Sequence, residues 1–154
     1  MSGKAGPEDW VKLPASFFYV GYLPWMPGTW GSLAGFALAW FFNPRLFWMF
    51  LGFSLAGFLI AAPAERAFGK KDPQNFVLDE VVGMMLSVLW LPRTPALFIA
   101  AFILFRILDT LKPGPIGWIQ KRETPSGILW DDLAAGAAVN LILQFILSAS
   151  VLFR

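Results

Sequence analysis

The chain has 154 residues, of which 57% are hydrophobic and 14% are charged, and its formal net charge is +2. Soluble domains carry about 25% charged residues, so this composition indicates a single domain of an integral membrane protein. The chain has no cysteine and no histidine, which excludes disulfides, thiolate catalysis, a Ser-His triad and zinc held by Cys or His. The small net charge argues against a nucleic-acid partner.

Apolar stretches alternate with short polar segments, and the five stretches cover residues 31–42, 46–64, 76–91, 95–108 and 133–153. A helix needs about 20 residues to cross roughly 30 Å of hydrocarbon. The second and fifth stretches are long enough alone, whereas the first and fourth are short and would tilt or penetrate only partway. Asp72 followed by Pro73 is a favoured helix start, which extends the third stretch to 73–91. We predict an all-α membrane domain over residues 1–154 with about five membrane helices.

The charges indicate how these helices are oriented. Nine of the twelve basic residues lie on the side of the N-terminus: Lys4, Lys12, Arg66, Lys70, Lys71, Arg106, Lys112, Lys121 and Arg122. The other side has Arg45, Arg93 and Arg154. The positive-inside rule therefore places the N-terminal segment, residues 1–20, in the cytoplasm and the C-terminus outside. That segment has no apolar run behind its basic residues, so we expect no signal peptide.

All the acidic residues also fall on the cytoplasmic side of this arrangement: Glu8, Asp9, Glu65, Asp72, Asp79, Glu80, Asp109, Glu123, Asp131 and Asp132. Acidic residues contribute little to orientation, so their distribution needs another cause. A functional site on the cytoplasmic face supplies one.

Two polar segments on this face offer anion-binding or acidic groups. In the loop 23–32, Gly28, Thr29 and Ser32 present backbone N–H groups and hydroxyls to an anion, although a turn with a Ser or Thr cap explains the same residues. Asp79 and Glu80 precede Gly83, which leaves space beside Asp79 one turn away. Stabilisation of a helix N-terminus by acids explains this pair poorly, because we place it in the second turn among apolar residues.

Two further segments complete the set. Arg106 and Asp109 share a helix face and are expected to form an ion pair, while Lys112, at the helix end, is either a phosphate-binding cation or a helix-terminal charge. Asp131 and Asp132 point about 100° apart on a helix, so we expect them to make different contacts, with Asp79 and Glu80 opposite. The small residues at 134–138 allow those two helices to approach closely.

Ionised carboxylates near hydrocarbon cost roughly 2.5–3.5 kcal/mol each at a helix centre, and several at one face repel one another. A divalent cation offsets both effects, and an all-oxygen ligand set suits Mg²⁺. A metal at such a site activates water and polarises a phosphoryl group. We therefore predict that Arg106 and Lys112 hold an anionic substrate next to Mg²⁺, and that the metal ligands and catalytic acids are Asp79, Glu80, Asp109, Asp131 and Asp132.

Four blocks together resemble the phosphatidylglycerophosphatase A family of bacterial membrane lipid phosphatases: PGTWGS (27–32), DPQNFVLDEVVG (72–83), FRILDTLKPGPI (105–116) and GILWDDLAAG (127–136). The resemblance implies a helical protein of the inner membrane that removes the terminal phosphate of phosphatidylglycerophosphate with Mg²⁺. The family's acidic and basic residues fall on the positions chosen above. Two apolar departures, Trp25-Met26 and Leu129-Trp130, bear on how the lipid fits.

The expected mechanism is in-line attack of water on phosphorus, with a carboxylate such as Asp131 as the base. Arg106, Lys112 and the loop 28–32 stabilise the phosphoryl oxygens. An aspartyl-phosphate intermediate is an open alternative to direct attack by water. The sequence also leaves the oligomeric state open. A small membrane carrier for a cation or lipid, with an acidic site on the cytoplasmic face, is the alternative function. The position of the acids at one face, rather than through the membrane, argues against it.

Overall fold

A computed structural model describes residues 9–112 and 126–152, and these residues form helices and connecting turns without a strand. The helices are α1 (Lys12–Ala15), α2 (Pro27–Phe41), α3 (Leu46–Phe68), α4 (Leu78–Ser87), α5 (Pro95–Leu111) and α6 (Gly127–Leu152). Short 3₁₀ turns cover Asp9–Val11, Val20–Tyr22 and Asn43–Arg45. The all-α prediction is confirmed. Six charges used above lie outside the described residues: Lys4, Glu8, Lys121, Arg122, Glu123 and Arg154.

The described helices differ in their capacity to cross a membrane. Two are long and apolar enough, Asn43–Phe68 and Gly127–Ser150, and they correspond to the second and fifth apolar stretches. In contrast, α2, α4 and α5 have only 15, 10 and 17 residues, fewer than the approximately 20 that a span requires. The prediction of about five membrane helices is therefore confirmed only for two candidate spans.

The predicted helix over 73–91 is wrong at both ends, because α4 begins at Leu78 and ends at Ser87. Asp72 has a φ of 46°, a left-handed conformation, whereas an α-helix N-cap typically has an extended one. The loop that follows is held by distant backbone: the Val77 N–H donates to the Ala15 carbonyl over 3.0 Å, and Asn75 Nδ2 donates to the Gly21 carbonyl over 2.9 Å. Asp79 and Glu80 thus lie in the first turn of α4, where the helix dipole does favour acids.

Helix α4 is short but forms the centre of the fold, with side chains buried on every side; Val81, Val82, Met84 and Met85 are fully buried. It packs against α2, α3, α5 and α6. Glycines permit the closest approaches, since a Cβ at Gly35 would meet the Val81 carbonyl oxygen. A helix of only ten residues needs such neighbours, because its own hydrogen bonds do not stabilise it alone.

Helices α4 and α6 run parallel in one constant register. Near their N-termini, carboxylate oxygens of Asp79 and Asp132 lie within 4.8 Å of each other. One turn further, a Cβ at Gly136 would collide with the Gly83 carbonyl oxygen. At the next turn, Asn140 Nδ2 lies 3.3 Å from the Ser87 carbonyl oxygen. The pairing repeats every four residues on both helices, so the glycine pair sets the distance and the two acids meet at the same level.

Candidate active site

The N-termini of α2, α4 and α6 and the C-terminus of α5 meet around a polar cleft of about 320 Å³. Because α4 and α6 are parallel and in register, their first two turns bring acidic residues to the same end of the fold. The walls of the cleft are formed by Trp25, Met26, Pro27, Gly28, Asp72, Pro73, Gln74, Phe76, Asp79, Glu80, Arg106, Asp109, Lys112, Ile128, Asp131 and Asp132.

Three carboxylates, Asp79, Glu80 and Asp132, form what we call the carboxylate trio, with one oxygen from each lying within 4.8 Å of the others. The Asp79 and Asp132 residues are only 7% and 3% exposed. Asp79 Oδ1 also accepts the Glu80 backbone N–H over 3.0 Å. Charged carboxylates buried this close together repel one another strongly unless a cation or a proton lies between them.

Arg106 lies beside the trio and is held by two neighbours. Its Nη1 donates to Asp109 Oδ2 over 2.7 Å and to Ser32 Oγ over 3.3 Å. The predicted ion pair between Arg106 and Asp109 is therefore confirmed. Ser32 in turn donates to the Gly28 carbonyl over 2.8 Å. This chain of contacts connects the first turns of α2 to the end of α5 and fixes the direction of the guanidinium group.

Lys112 ends α5 in a left-handed conformation with a φ of 43°, and its ammonium group contacts Asp131 Oδ2. Burial by itself lowers the pKa of Lys112, but the contact with Asp131 and the nearby Asp132 and Asp109 carboxylates outweigh that effect and raise it. Lys112 therefore keeps its positive charge at neutral pH. Asp131 and Asp132 make different contacts, as the 100° separation on the helix predicted.

Two buried carboxylate oxygens, Glu80 Oε2 and Asp131 Oδ1, have no hydrogen-bond partner within residues 9–112 and 126–152. Buried polar atoms in proteins almost always have a partner. Glu80 is a member of the trio, so a hard cation bound by carboxylate oxygens fits there, and Mg²⁺ prefers such ligands. The oxygen-only donor set and the uncompensated charge therefore both fit the predicted metal.

Gly28 brings the backbone of α2 against this charge cluster. A Cβ at position 28 would collide with Glu80 Oε1 and lie 3.3 Å from Arg106 Nη1. Met26, the N-cap residue, offers no side-chain acceptor to the first turn of α2. The helix start therefore faces the cleft without a cap of its own.

The structure brings eight of the ten predicted site residues to the cleft: Gly28, Asp79, Glu80, Arg106, Asp109, Lys112, Asp131 and Asp132. Thr29 and Ser32 do not line it, and Ser32 is fully buried behind Arg106. Of the five predicted metal ligands only the carboxylate trio forms one cluster in the described chain. Asp109 and Asp131 are instead engaged by Arg106 and Lys112.

The sequence did not lead us to several residues of the cleft, and the prediction that Gly83 leaves space beside Asp79 is wrong. Asp72 and Gln74 line the cleft, but Asp72 was interpreted as a helix cap. The turn signal of Asp-Pro and the polar Gln74 that follows were the evidence for a loop there. Gly83 does not leave space beside Asp79, because a Cβ there would meet Phe105 at 2.7 Å and the Asp132 carbonyl oxygen at 2.8 Å.

The family model and two of the similar proteins have the same name. The family model described as phosphatidylglycerophosphatase A matches residues 13–147. The chain is 36% identical over 137 residues to the phosphatidylglycerophosphatase A of Escherichia coli K12, covering 84% of this chain and 78% of that protein. It is 35% identical over 140 residues to the protein of that name from Haemophilus influenzae, covering 86% of each.

A third relative has a different name. The chain is 33% identical over 145 residues to a protein of Bacteroides thetaiotaomicron, covering 86% of this chain and 87% of that protein. That relative is provisionally named a phosphatidylinositol-3-phosphatase. No solved structure matches the chain.

Proposed function

This chain belongs to the phosphatidylglycerophosphatase A family, and we propose that the cleft is where it hydrolyses its lipid phosphomonoester. The family match covers most of the chain, so the protein is a lipid phosphatase of phosphatidylglycerol synthesis. The reaction converts phosphatidylglycerophosphate to phosphatidylglycerol and inorganic phosphate. The steps below assign the parts of that reaction to residues.

One observation carries the assignment: a buried carboxylate trio faces two cations, Arg106 and Lys112, in a single cleft. A phosphomonoester has up to two negative charges and exchangeable oxygens on one phosphorus. Its binding requires cations aimed at the oxygens, and its hydrolysis requires an oxygen nucleophile placed opposite the leaving group. The cleft combines the two cations with carboxylates that could hold a metal and accept a proton from an attacking water, in a volume of about 320 Å³.

The carboxylate trio is the proposed Mg²⁺ site. A bound Mg²⁺ neutralises phosphoryl charge and lowers the pKa of water. The chain's own contribution is to keep Asp79, Glu80 and Asp132 at one level through the register of α4 and α6. Glu80 Oε2, buried and without a partner among the described residues, is the oxygen most directly available to a cation.

Arg106 and Lys112 bind and orient the phosphoryl oxygens in this proposal. Asp109 and Ser32 fix the guanidinium group through Nη1, so that its Nη2 and Nε donors can bind a phosphate. The Gly28 N–H, at the uncapped N-terminus of α2, adds one backbone donor to the same group. These groups act where charge develops in the transition state, so they lower the barrier without having to reorganise.

Asp131 is the proposed proton acceptor. Its Oδ2 contacts Lys112, while its Oδ1 is buried and has no partner in the described part of the chain. The contact with the Lys112 ammonium group orients the carboxylate, which leaves Oδ1 to accept a proton from the attacking water. Attack by water, rather than by a carboxylate, is the step we propose.

The membrane arrangement is also part of the proposal. The spans Asn43–Phe68 and Gly127–Ser150 anchor the protein in the bacterial inner membrane, and the short helix α4 packs against both of them. The distribution of Lys and Arg supports a position of the cleft at the cytoplasmic face. At that level the phosphorylated head group of a membrane lipid reaches the cleft without leaving the bilayer.

The decisive assay measures phosphate released from phosphatidylglycerophosphate by purified protein in mixed micelles. We expect activity with Mg²⁺, none after complete removal of metal by EDTA, and recovery when Mg²⁺ is restored. Activity that survives metal removal would contradict the Mg²⁺ site, and an inactive protein in all conditions would contradict the function. Phosphatidic acid and phosphatidylinositol 3-phosphate in parallel assays measure how strictly the head group is selected.

A further inference from the structure

Residues 16–23, which follow α1, form a tight turn that we call the aromatic turn. Three consecutive residues in it, Phe17, Phe18 and Tyr19, have φ values of 45°, 55° and 67°, a left-handed conformation that non-glycine residues adopt singly. The reversal directs Phe17 into the protein, where its ring packs edge-on against Phe53 at 5.7 Å. Phe18 and Tyr19 are exposed, and the ring of Phe18 lies 5.6 Å from that of Phe17.

The contact with Phe53 gives the depth of the aromatic turn. Gly57 of α3 marks the level of the cleft, because a Cβ there would lie 2.5 Å from a Leu129 methyl group, and Leu129 follows Ile128 of the cleft wall. Phe53 precedes Gly57 by four positions, so it lies about 6 Å further into the candidate span Asn43–Phe68. The turn therefore reaches below the cleft, towards the depth of the acyl chains of a lipid whose head group lies in the cleft.

The composition of this segment also fits lipid surroundings. No residue between Lys12 and Arg45 is charged, and residues 13–26, ahead of α2, are mostly apolar. A stretch of about 10–14 such residues is too short to span a bilayer and is typical of an interfacial or re-entrant segment. Tyrosine is enriched where the membrane meets water, because its ring is apolar and its hydroxyl is polar.

The exposed aromatic surface of the turn is continuous with the candidate span. The rings of Tyr19 and Tyr22 lie 5.6 Å apart, and the ring of Tyr22 lies 6.5 Å from that of Phe68, the last residue of α3. Lipid that contacts the exposed side of α3 therefore also meets these rings.

The backbone of the aromatic turn is paired internally. All the N–H groups from Ser16 to Leu23 donate to acceptors within the described chain. Most of them bind carbonyl oxygens, and the Tyr19 N–H donates to the hydroxyl of the buried Ser16 over 3.1 Å. Irregular backbone at membrane depth requires internal partners for its polar groups, since lipid offers none. The pairing thus removes the main obstacle to placing this turn in a bilayer.

The aromatic turn is joined directly to the cleft. A Cβ at Gly21 would collide with the Asn75 carbonyl oxygen, and Asn75 Nδ2 donates to the Gly21 carbonyl over 2.9 Å, so the turn packs on the loop ahead of Asp79. The chain then continues to Trp25 and Met26, which are exposed and line the cleft. A change in the position of the turn would therefore move two parts of the cleft wall.

We propose that the aromatic turn inserts Phe18 and Tyr19 into the cytoplasmic leaflet of the bilayer, at the boundary between head groups and acyl chains, and thereby sets the depth of the cleft. The partner is the phospholipid surface itself. At this depth the phosphomonoester of a membrane lipid meets the cleft in one orientation, which raises the fraction of productive encounters. The inference rests on the membrane arrangement in the proposed function, and it moves residues 16–20 out of the cytoplasmic segment 1–20 expected from the sequence.

The experiment measures depth with a spin label. The chain has no cysteine, so a single introduced cysteine carries the only nitroxide. Phe18→Cys is compared with Leu55→Cys in the candidate span and with Lys70→Cys in the polar loop after α3, each in the full chain in vesicles of phosphatidylcholine and phosphatidylglycerol. Phe18 and Leu55 are 67% and 62% exposed, so the two labels have similar freedom.

Two collision partners report the surroundings of each label, O₂, which concentrates in hydrocarbon, and a nickel chelate, which stays in water. We expect the Phe18 label to collide with O₂ as the Leu55 label does, and to lose the nickel-chelate collisions that the Lys70 label shows. Tyr19→Cys is expected to give the same result, and it replaces Phe18→Cys where that variant fails to fold.

A label at Phe18 that meets the nickel chelate as often as the one at Lys70 would overturn the proposal. A label shielded from both collision partners would also overturn it, since a protein surface would then cover the turn. Water contact at Leu55 would contradict the membrane arrangement together with this inference. The measurement needs no hydrolysis, so a protein that inserts the turn but releases no phosphate would contradict the proposed function alone.

Discussion

The two ends of the interface between α4 and α6 are both polar, but they differ in whether their buried polar atoms have hydrogen-bond partners. At the far end, Asn140 Nδ2 donates to the Leu89 carbonyl over 2.8 Å, and Asn140 Oδ1 accepts from Gln144 over 2.7 Å. At the cleft end, Glu80 Oε2 and Asp131 Oδ1 are buried and unpartnered among the described residues. One end satisfies its polar groups, and the other leaves charge uncompensated.

This contrast indicates that the far end of the interface has a structural role and the cleft end a catalytic one. Polar groups with hydrogen-bond partners stabilise a unique packing. An uncompensated charge is unfavourable for folding and occurs at functional sites, where a bound ligand compensates it. Gly83 and Gly136 lie between the two ends, and their contact affects both the stability of the fold and the geometry of the site. Substitutions at the cleft end, in the middle and at the far end should therefore have different effects on activity and on stability.

The largest effect is expected at the cleft end. Asp132→Asn removes one member of the carboxylate trio, and we expect kcat to fall about 10²–10³-fold. In the absence of Mg²⁺ its apparent Tm in detergent should equal or exceed that of the wild type, because one buried charge is lost. Mg²⁺ should raise the Tm of the wild type and not that of the variant. Equal Mg²⁺ shifts in both proteins would contradict a metal site at the trio.

A substitution between the two ends should reduce both the activity and the stability. In Gly136→Val the new side chain collides with the Gly83 carbonyl, forces the helices apart and costs about 1–3 kcal/mol in stability. The trio then loses its common level, so activity falls as well. Gly52→Val is the control, since a Cβ at Gly52 meets nothing within 4 Å. Similar Tm values for the two variants would show that the glycine contact does not hold the helices.

At the far end, a substitution should lower the stability without changing the rate of hydrolysis. Asn140→Ala leaves the Ser87 and Leu89 carbonyls without the amide donor, at a cost of about 1–3 kcal/mol. We expect a lower Tm, with kcat and KM of the folded protein near the wild-type values at low temperature. A loss of kcat as large as that of Asp132→Asn would contradict the division of the two ends into structural and catalytic parts.

The smallest effect is expected at Ser32, which contacts Arg106 from behind. Ser32→Ala removes one neutral hydrogen bond to the guanidinium group, worth roughly 0.5–1.5 kcal/mol, so kcat/KM should fall by less than about tenfold. Ser148→Ala is the control, because Ser148 makes a similar bond to its own helix, to the Gln144 carbonyl at 2.9 Å, outside the cleft. A loss as large as that of an Arg106 substitution would place Ser32 in direct contact with substrate.

Much of the site was predictable because its spacing is local. The small residues at 134–138 indicated that the helix carrying Asp132 closely approaches the helix carrying Asp79, with the acids at one end. Arg106 and Asp109 are three residues apart on α5, so their ion pair followed from helix geometry. The start of α4 was not predictable in this way, since contacts from Ala15 and Gly21, more than fifty residues away, determine the loop before it.

Composition and helix periodicity by themselves determined an all-helical protein with an acidic face, and that Asp131 and Asp132 would point to different partners. Only the tertiary structure decided which of them joins the carboxylate trio. Asp132 faces Asp79 because the backbone contact between Gly83 and Gly136 sets the register of α4 against α6. Asp131, one position earlier, is rotated toward Lys112 at the end of α5. Relative register depends on packing between distant segments, so no local pattern in the chain specifies it.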